Sequence, residues 1–184
     1  YTFGLSPSGQ GLVKASIAAD AAQDGAGNGN EASSDLQRTY DTAVPTASMS
    51  STASEPTNTS PIPVTVTMSE AVVGFSAADI TASNGSVNSF AGAGTSYTFS
   101  LVPAGQGAVS ATIAAGKLHD AAGNTNTASA TLSRAFDNQS PTVSLTSAAG
   151  SPTNQSPIPI TVTFSEPVGD FTDDDVAVEN ADLQ

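Results

Sequence analysis

The sequence repeats itself at an interval of 96 positions. When the chain is shifted by that interval, residues 1–88 align with residues 97–184 without a gap, and about half of the aligned pairs are identical. An interval of this length exceeds the roughly 20–50 residues of a solenoid unit. It matches the size of a small domain that has its own core. The repeat therefore predicts a tandem array of similar domains.

Apolar and polar residues alternate with a period of two, and no stretch has the spacing of an amphipathic helix. The alternating segments are residues 62–68, 97–101, 109–113, 132–136 and 143–145. Turn-forming residues separate them, in the segments 56–58, 84–85, 91–94, 103–107 and 121–124. About seven short strands per repeat are typical of an immunoglobulin-like β-sandwich. We therefore predict an all-β chain of tandem immunoglobulin-like β-sandwich domains, each about 96 residues long.

The domain boundary is predicted at Asp41 and at its copy, Asp137. Each begins a short segment that ends in a proline, and proline suits a linker or the first residue of an edge strand. We therefore expect residues 41–136 to form one complete domain. Residues 1–40 are expected to be the C-terminal half of a preceding repeat, and residues 137–184 the N-terminal half of a following repeat.

The charge of the chain narrows the range of its partners. Four basic residues against 17 acidic residues give a net charge of −13. The chain therefore has no basic patch for nucleic acid or for an anionic membrane surface. Cysteine is absent, which excludes a disulfide framework, a catalytic thiol and a cysteine-based metal site. No apolar run is long enough for a membrane helix, so we expect no membrane insertion. Such an acidic chain is consistent with a secreted protein that binds cations.

Three motifs carry a resemblance to a known family. They are Asp137-x-x-x-Pro141-Thr142, the segment 157–168 (PIPITVTFSEPV) and the loop 120–124 (DAAGN). With these motifs the whole chain resembles the bacterial Ig-like repeats of large extracellular adhesins. The resemblance implies a bacterial protein that is secreted or held at the cell surface. It also implies a calcium-stiffened stalk that holds a terminal binding domain away from the cell, with neighbouring repeats of the same protein as partners.

Strand direction predicts which loops meet. If the first strand starts at the pole nearest the preceding domain, the second strand (62–68) returns to that pole and delivers Glu70 there. The sixth strand also returns to it and delivers Asp120 and Asn124, and Asp41 of the linker lies at the same pole. Calcium takes about six to eight oxygen ligands at about 2.3–2.6 Å. Zinc is disfavoured, because it prefers Cys and His ligands. The sequence therefore predicts a calcium site at the junction.

The polar residues of this predicted site recur at the 96-residue interval, whereas most other acids do not. With the copies included, the predicted calcium ligands are Asp41, Glu70, Asp120, Asn124, Asp137, Glu166, Asp24 and Asn28. The alternative is that Asp120 and Asn124 only cap a tight glycine-containing loop, while Glu70 is a solvated turn residue.

Three other polar features have ordinary interpretations. Asp79 precedes the third strand, where it accepts a hydrogen bond from a loop amide or serves as a further metal ligand. The acidic run 173–175 is predicted to be a solvated face. His119 is the only histidine, and Gln23 takes its place in the other copy. No nucleophile elbow accompanies that histidine, so we predict a surface residue and no enzyme.

The predicted function is a structural spacer, a stalk repeat of a bacterial extracellular adhesin or surface fibre that calcium stiffens at its interdomain junctions. One alternative is an adhesion module that itself binds a glycan or an abiotic surface. Such a module needs an exposed aromatic cluster, whereas the chain has no Trp and its other aromatic residues mostly occupy inward strand positions. Another alternative is a self-assembling extracellular filament subunit.

The two terminal halves add up to one domain, apart from the glycine-rich segment 89–96. Half-sandwiches have open edges and no closed core of their own. We therefore expect residues 137–184 of one chain to complete residues 1–40 of a neighbour, head to tail, by main-chain strand pairing. Because a rod-shaped molecule does not easily bring its two ends together, we favour completion between chains. In a natural array the same domain would be one continuous polypeptide.

Overall fold

The computed structural model describes residues 1–183 and divides into two compact units, Tyr1–Asp137 and Asn138–Gln184. Apart from two single turns of 3-10 helix, at Ala77–Asp79 and Asp173–Asp175, the regular structure of the described residues is all β. The strands of the first unit are β1 (Gly11–Ala15), β2 (Leu36–Tyr40), β3 (Ala47–Ser50), β4 (Ile62–Met68), β5 (Ile80–Ser83), β6 (Gly85–Ala93), β7 (Ser96–Pro103), β8 (Gly107–Ile113) and β9 (Leu132–Phe136). Those of the second unit are β10 (Val143–Thr146) and β11 (Thr161–Phe164).

Residues 41–136 contain a two-layer β-sandwich. One sheet has four strands in the order β3-β4-β7-β6, and the other has three strands in the order β5-β8-β9. All neighbouring strands are antiparallel. The all-β prediction and the immunoglobulin-like sandwich are confirmed.

The core lies between the two sheets, where the strands place their apolar residues. In β4, Ile62, Val64, Val66 and Met68 are buried, whereas the three residues between them are exposed. Because side chains alternate between the faces of a strand, this period of two places one face in the core. The other sheet contributes core residues from its own strands, namely Ile80, Val109, Ala111, Ile113, Leu132 and Phe136. The predicted alternation therefore produces the observed core.

The turn predicted at residues 91–94 is wrong in part, because residues 91–93 belong to β6. This strand pairs with β7 on both sides of a register shift between Asn88 and Ala91. Gly92 has a φ of 122°, and a Cβ at this position would lie 2.5 Å from the Cα of Tyr97. Glycine is therefore required here for the close approach of two strands.

Each terminal segment holds one strand pair. β1 pairs with β2 in the register that β8 and β9 have in the sandwich. Likewise β10 pairs with β11 in the register of β3 and β4. Several large apolar side chains of these segments are exposed, including Phe3, Leu5, Ile17, Ile158 and Ile160. Each terminal segment thus repeats half of the sandwich pattern, with apolar residues on its surface.

Candidate metal centre

A five-residue loop holds Asp120 in place. The backbone N–H of Asn124 donates to Oδ1 of Asp120 at 2.9 Å, and the Asn124 side-chain Nδ2 donates to Oδ2 at 2.8 Å. The backbone N–H of Asp120 in turn donates to the carbonyl of Asn124 at 3.1 Å. Gly123 has a φ of 95°, which suits the glycine of this motif. The Asp-Ala-Ala-Gly-Asn sequence therefore forms a closed loop with a fixed carboxylate.

The linker is attached to this loop through its backbone. Nδ2 of Asn124 also donates to the carbonyl oxygen of Asp41 at 3.1 Å. The Asp41 carboxylate accepts a hydrogen bond from the backbone N–H of Ala43 at 2.9 Å. Further on, Pro45 is buried and its carbonyl accepts a hydrogen bond from the N–H of Thr127 at 3.1 Å. Asn124 thus links the carboxylate of one segment to the backbone of another.

Three carboxylates converge at this place in the fold. One carboxylate oxygen from each of Asp41, Glu70 and Asp120 lies within 4.8 Å of the other two. Two oxygens on one calcium ion lie at most about 5.2 Å apart, twice the longest usual calcium–oxygen distance. Asp120 is buried, and the other two acids are half-buried. The three oxygens are therefore close enough to bind one calcium ion.

The negative charges of the three carboxylates repel one another. Burial raises the pKa of Glu70, and the negative charges of Asp120 and Asp41 raise it further. In contrast, the side-chain hydrogen bond from Asn124 is the main cause that lowers the pKa of Asp120, against the effect of burial. These surroundings therefore favour the charged form of Asp120 and disfavour the charged form of Glu70. A cation between them would relieve that repulsion.

The chain is similar to a known family over most of its length. The bacterial Ig-like domain family matches residues 41–136 and again residues 137–184. The chain belongs to this family. Bacterial Ig-like domains are repeat modules of surface proteins and are typically structural and non-enzymatic. No match was found among curated proteins or among solved structures. Within the described residues, no helix has the length and hydropathy needed to cross a membrane.

The segment before Asp41 contains a second copy of the loop. The N–H and Nδ2 of Asn28 donate to the two carboxylate oxygens of Asp24, each at 2.9 Å, and these hydrogen bonds lower the pKa of Asp24. Among the described residues, however, the only such group of three potential metal ligands is that of Asp41, Glu70 and Asp120. The loop therefore forms with or without neighbouring carboxylates.

Asp137 and Glu166, the copies of Asp41 and Glu70, have different neighbours from the residues that they copy. Asp137 is exposed, and its backbone N–H donates to the carbonyl of Thr57 at 2.9 Å. Glu166 is half-buried in the second Ig-like segment, beside Ser140, Thr142 and Ser165. As ligands, these two residues together with Asp24 and Asn28 remain predictions.

The other polar features are placed as follows. Oδ2 of Asp79 accepts hydrogen bonds from the N–H and the hydroxyl of Ser76, at 2.9 and 2.8 Å. Asp79 therefore caps the 3-10 turn before β5, in agreement with the loop-amide interpretation. Residues 173–175 are exposed and form the equivalent turn. His119 is exposed as well.

Asn126 has a structural role that was not predicted from the sequence. Its side chain is buried, and Oδ1 accepts hydrogen bonds from the backbone N–H groups of Lys117 and Leu118 at 2.8 and 3.0 Å. Nδ2 donates to the carbonyls of Ala114 and Thr127. The side chain therefore fastens both ends of the segment that contains the Asp120 loop. Its recurrence as Asn30 was the available signal.

Proposed function

We propose that this chain is a stalk segment of a bacterial extracellular adhesin or surface fibre, in which calcium stiffens the junctions between Ig-like domains. Membership of the family and the tandem repeat support the spacer part of this proposal. A domain of modest size that is repeated in one chain adds length at little folding cost, because each unit forms its own core. A spacer needs this length together with a controlled angle between units.

The convergence of Asp41, Glu70 and Asp120 supports the calcium part. Asp41 belongs to the linker that enters the domain, Glu70 follows β4, and Asp120 lies in the loop after β8. An ion bound to all three would attach the linker to two loops of the domain. It would restrict the direction in which the chain enters, because the linker would lose its freedom to swing. Stiffening would thus follow from calcium binding to these three acids.

The chemistry of the three ligands favours calcium. All three side chains offer carboxylate oxygens, and the carbonyl oxygen of Asp41 lies beside them, where Nδ2 of Asn124 bridges it to Oδ2 of Asp120. Hard oxygen donors with room for water suit calcium, which accepts irregular geometry, better than magnesium, which demands a regular octahedron at about 2.0–2.1 Å. A bound divalent ion would offset most of the negative charge that raises the pKa of Glu70.

A ligand-binding role for residues 41–136 has less support. The aromatic residues of this domain are Phe75, Phe90, Tyr97, Phe99 and Phe136, and all are buried or packed against the core. The rings of Phe75, Phe90 and Tyr97 contact one another edge-on or stacked. A glycan platform needs aromatic faces open to solvent, so the spacer is the better proposal.

The test is calcium titration of the full chain with two readouts. If calcium binds only the folded state, free calcium at about 100 times its dissociation constant should raise the Tm by about 10–20 °C. Small-angle scattering should at the same time show a more extended and less variable particle. An equal concentration of magnesium is the control. An unchanged Tm over a millimolar range of calcium would contradict the metal site, and an unchanged scattering curve would contradict the stiffening.

A further inference from the structure

One peptide group of the linker is held from both sides. The peptide between Asp41 and Thr42 has one carbonyl and one N–H. Its carbonyl oxygen, that of Asp41, accepts a hydrogen bond from Nδ2 of Asn124 at 3.1 Å. Its N–H, that of Thr42, donates to Oε1 of Gln10 at 3.0 Å. Asn124 lies in the domain that the linker enters, whereas Gln10 lies in the segment before the linker, which copies the second half of that domain. Side chains from two successive repeats therefore meet on one peptide group.

The register of the first strand pair places Gln10 beside the linker. Gly11 at the start of β1 pairs with Tyr40 at the end of β2. Because the strands are antiparallel, the residue before Gly11 lies next to the residues that follow Tyr40. Gly11 has a φ of 121°, which favours glycine at this turn. The sequence Gly-Gln-Gly recurs at residues 105–107, where β8 begins. A glutamine thus precedes the last strand pair of both repeats.

In the complete domain, the loop that carries this glutamine is fixed to the sandwich by one side chain. Nδ2 of Asn84 donates to three backbone carbonyls of the loop, those of Gly105, Gln106 and Ala108, at 3.1, 3.2 and 3.3 Å. The backbone N–H of Ala104 donates to the carbonyl of Asn84 at 3.0 Å. The loop therefore moves with its own domain, and a contact made by Gln106 would transmit the orientation of that domain.

The linker residues that recur are those whose side chains the junction uses. Of Asp-Thr-Ala-Val-Pro at 41–45, only the aspartate and the proline recur in Asp-Asn-Gln-Ser-Pro at 137–141. The Asp41 carboxylate accepts a hydrogen bond from the N–H of Ala43, and Pro45 is buried. The contact with Gln10 uses a backbone N–H instead, which any residue except proline supplies. The sequence therefore allows this contact wherever the repeat recurs.

We propose that Gln10 and its copies form a clamp between successive repeats, in which each repeat holds the linker peptide of the next by a hydrogen bond that needs no metal. A peptide group is planar and rigid, so restraining its N–H from one side and its carbonyl from the other restrains the direction of the linker. Asp41 is also one of the three acids of the proposed calcium site, and the clamp would hold this acid in place before an ion binds. That last consequence rests on the proposed function, whereas the clamp itself does not.

The first experiment measures amide hydrogen exchange of the full chain by NMR, with a chelator present. The Thr42 amide should be protected in the wild type, and Gln10→Met should raise its exchange rate about fivefold, the effect of one lost hydrogen bond. Gln37→Met is the matched control, because Gln37 is exposed on β2 opposite Lys14, and it should leave the rate unchanged. An unprotected Thr42 amide in the wild type, or an unchanged rate in Gln10→Met, would overturn the clamp.

The second experiment asks whether the contact acts between repeats or only within one strand pair. The chain has no cysteine, so spin labels can be attached at Thr39→Cys on β2 and Thr65→Cys on β4, both at exposed positions. Pulsed EPR then gives the distribution of distances between the labels. With a chelator present, Gln10→Met should raise the population outside the main wild-type distance about fivefold, and Gln37→Met should not. A distribution that Gln10→Met leaves unchanged would overturn the proposal.

Calcium separates this inference from the proposed function. If Gln10→Met has its effect in the chelator but calcium alters neither protein, the clamp is supported and the calcium site fails. If calcium narrows the wild-type distribution while Gln10→Met matches the wild type in the chelator, the calcium site is supported and the clamp is overturned. If both are correct, calcium should reduce the effect of Gln10→Met, because the ion would hold Asp41 as well.

Discussion

Asp120 combines two roles that its copy, Asp24, allows us to separate. Both aspartates accept two hydrogen bonds from an asparagine four residues later. Only Asp120 has two further carboxylates close to it. A loop-capping role is therefore common to both residues, whereas a metal role needs the neighbours. The two substitutions to alanine should differ only in their response to calcium.

The first prediction uses that difference. Both Asp120→Ala and Asp24→Ala should weaken their own loops, because each removes the carboxylate that accepts the hydrogen bonds from the asparagine four residues later. Asp120→Ala should also remove most of the rise in Tm that calcium produces in the central domain, and Asp24→Ala should leave that rise intact. Calorimetry with and without calcium measures both effects. His119→Ala is a second control. If Asp120→Ala kept the full calcium response, this residue would be a loop cap only.

Glu70 gives the second prediction, at the same scale. Its pKa is raised by burial and by Asp120 and Asp41, so the folded state favours protonated Glu70 more than the unfolded state does. Without calcium, Glu70 therefore destabilises the fold once the pH exceeds the raised pKa, and this penalty disappears as the pH falls towards the ordinary value. Glu70→Gln should raise the Tm of the calcium-free protein at neutral pH and reduce its calcium response.

Two controls sharpen the Glu70 prediction. Glu31→Gln makes the same change of charge at an exposed residue and should alter neither quantity. The effect of Asp120 on stability changes with pH in the opposite direction, because its pKa is lowered. Its contribution to stability is present above its ordinary pKa and is lost as the pH falls through the lowered value. If Glu70→Gln lowered the calcium-free Tm, the repulsion inferred among the three acids would be wrong.

At the scale of elements, β6 shows why a glycine-rich segment became a strand. Gly92 lies against the backbone of Ser96 and Tyr97, and its φ is positive. Neither fact is visible in the sequence, where glycine and alanine together are typical of a turn. The neighbouring Gly94 also has a positive φ, but nothing lies within 4 Å of the position of a Cβ.

The third prediction compares these two glycines. Gly92→Ala should destabilise the sandwich by about 3 kcal/mol or more, because backbone strain of about 1–3 kcal/mol adds to a clash with β7. Gly94→Ala should cost only about 1–2 kcal/mol, the usual cost of a left-handed residue with a side chain. Denaturant unfolding of both variants measures the difference. Equal losses would show that β6 and β7 do not approach each other as closely as described.

At the scale of the whole molecule, the repeat divides the chain into one closed sandwich and two open halves. The core cluster of buried residues lies entirely within 62–136. The exposed apolar residues lie mostly in the terminal segments. Free energy of folding should therefore come mainly from the central domain.

The fourth prediction follows from this division. Residues 41–136, expressed alone, should unfold cooperatively with a Tm close to that of the main transition of the full chain. Residues 1–40 and 137–184 should each be unfolded alone, because two strands with one open face are not stable in water. Dispersed amide signals in NMR spectra distinguish the two outcomes. A cooperatively folded 1–40 peptide would place the domain boundary elsewhere.

The sequence by itself determined the class of fold and the positions of most strands. Strand patterning is local, so the alternation of Ile62 to Met68 was sufficient to locate β4 and its buried face. The repeat also predicted domain boundaries at Asp41 and Asp137. Strand direction then predicted that loops distant in sequence share a pole, and three carboxylates do lie together there.

Only the tertiary structure decided which of the repeated acids have neighbours. Asp24 and Asp120 lie in two copies of the same loop. Whether other carboxylates lie close to the loop depends on the segments that pack beside it. At the site of Asp120, one of these segments contains Asp41, which lies 79 residues earlier in the chain. The roles of Gly92 and Asn126 were decided in the same way, by backbone approach and by hydrogen bonds across loops. Local composition sets which conformations a segment prefers, whereas contacts between distant segments set what each side chain can do.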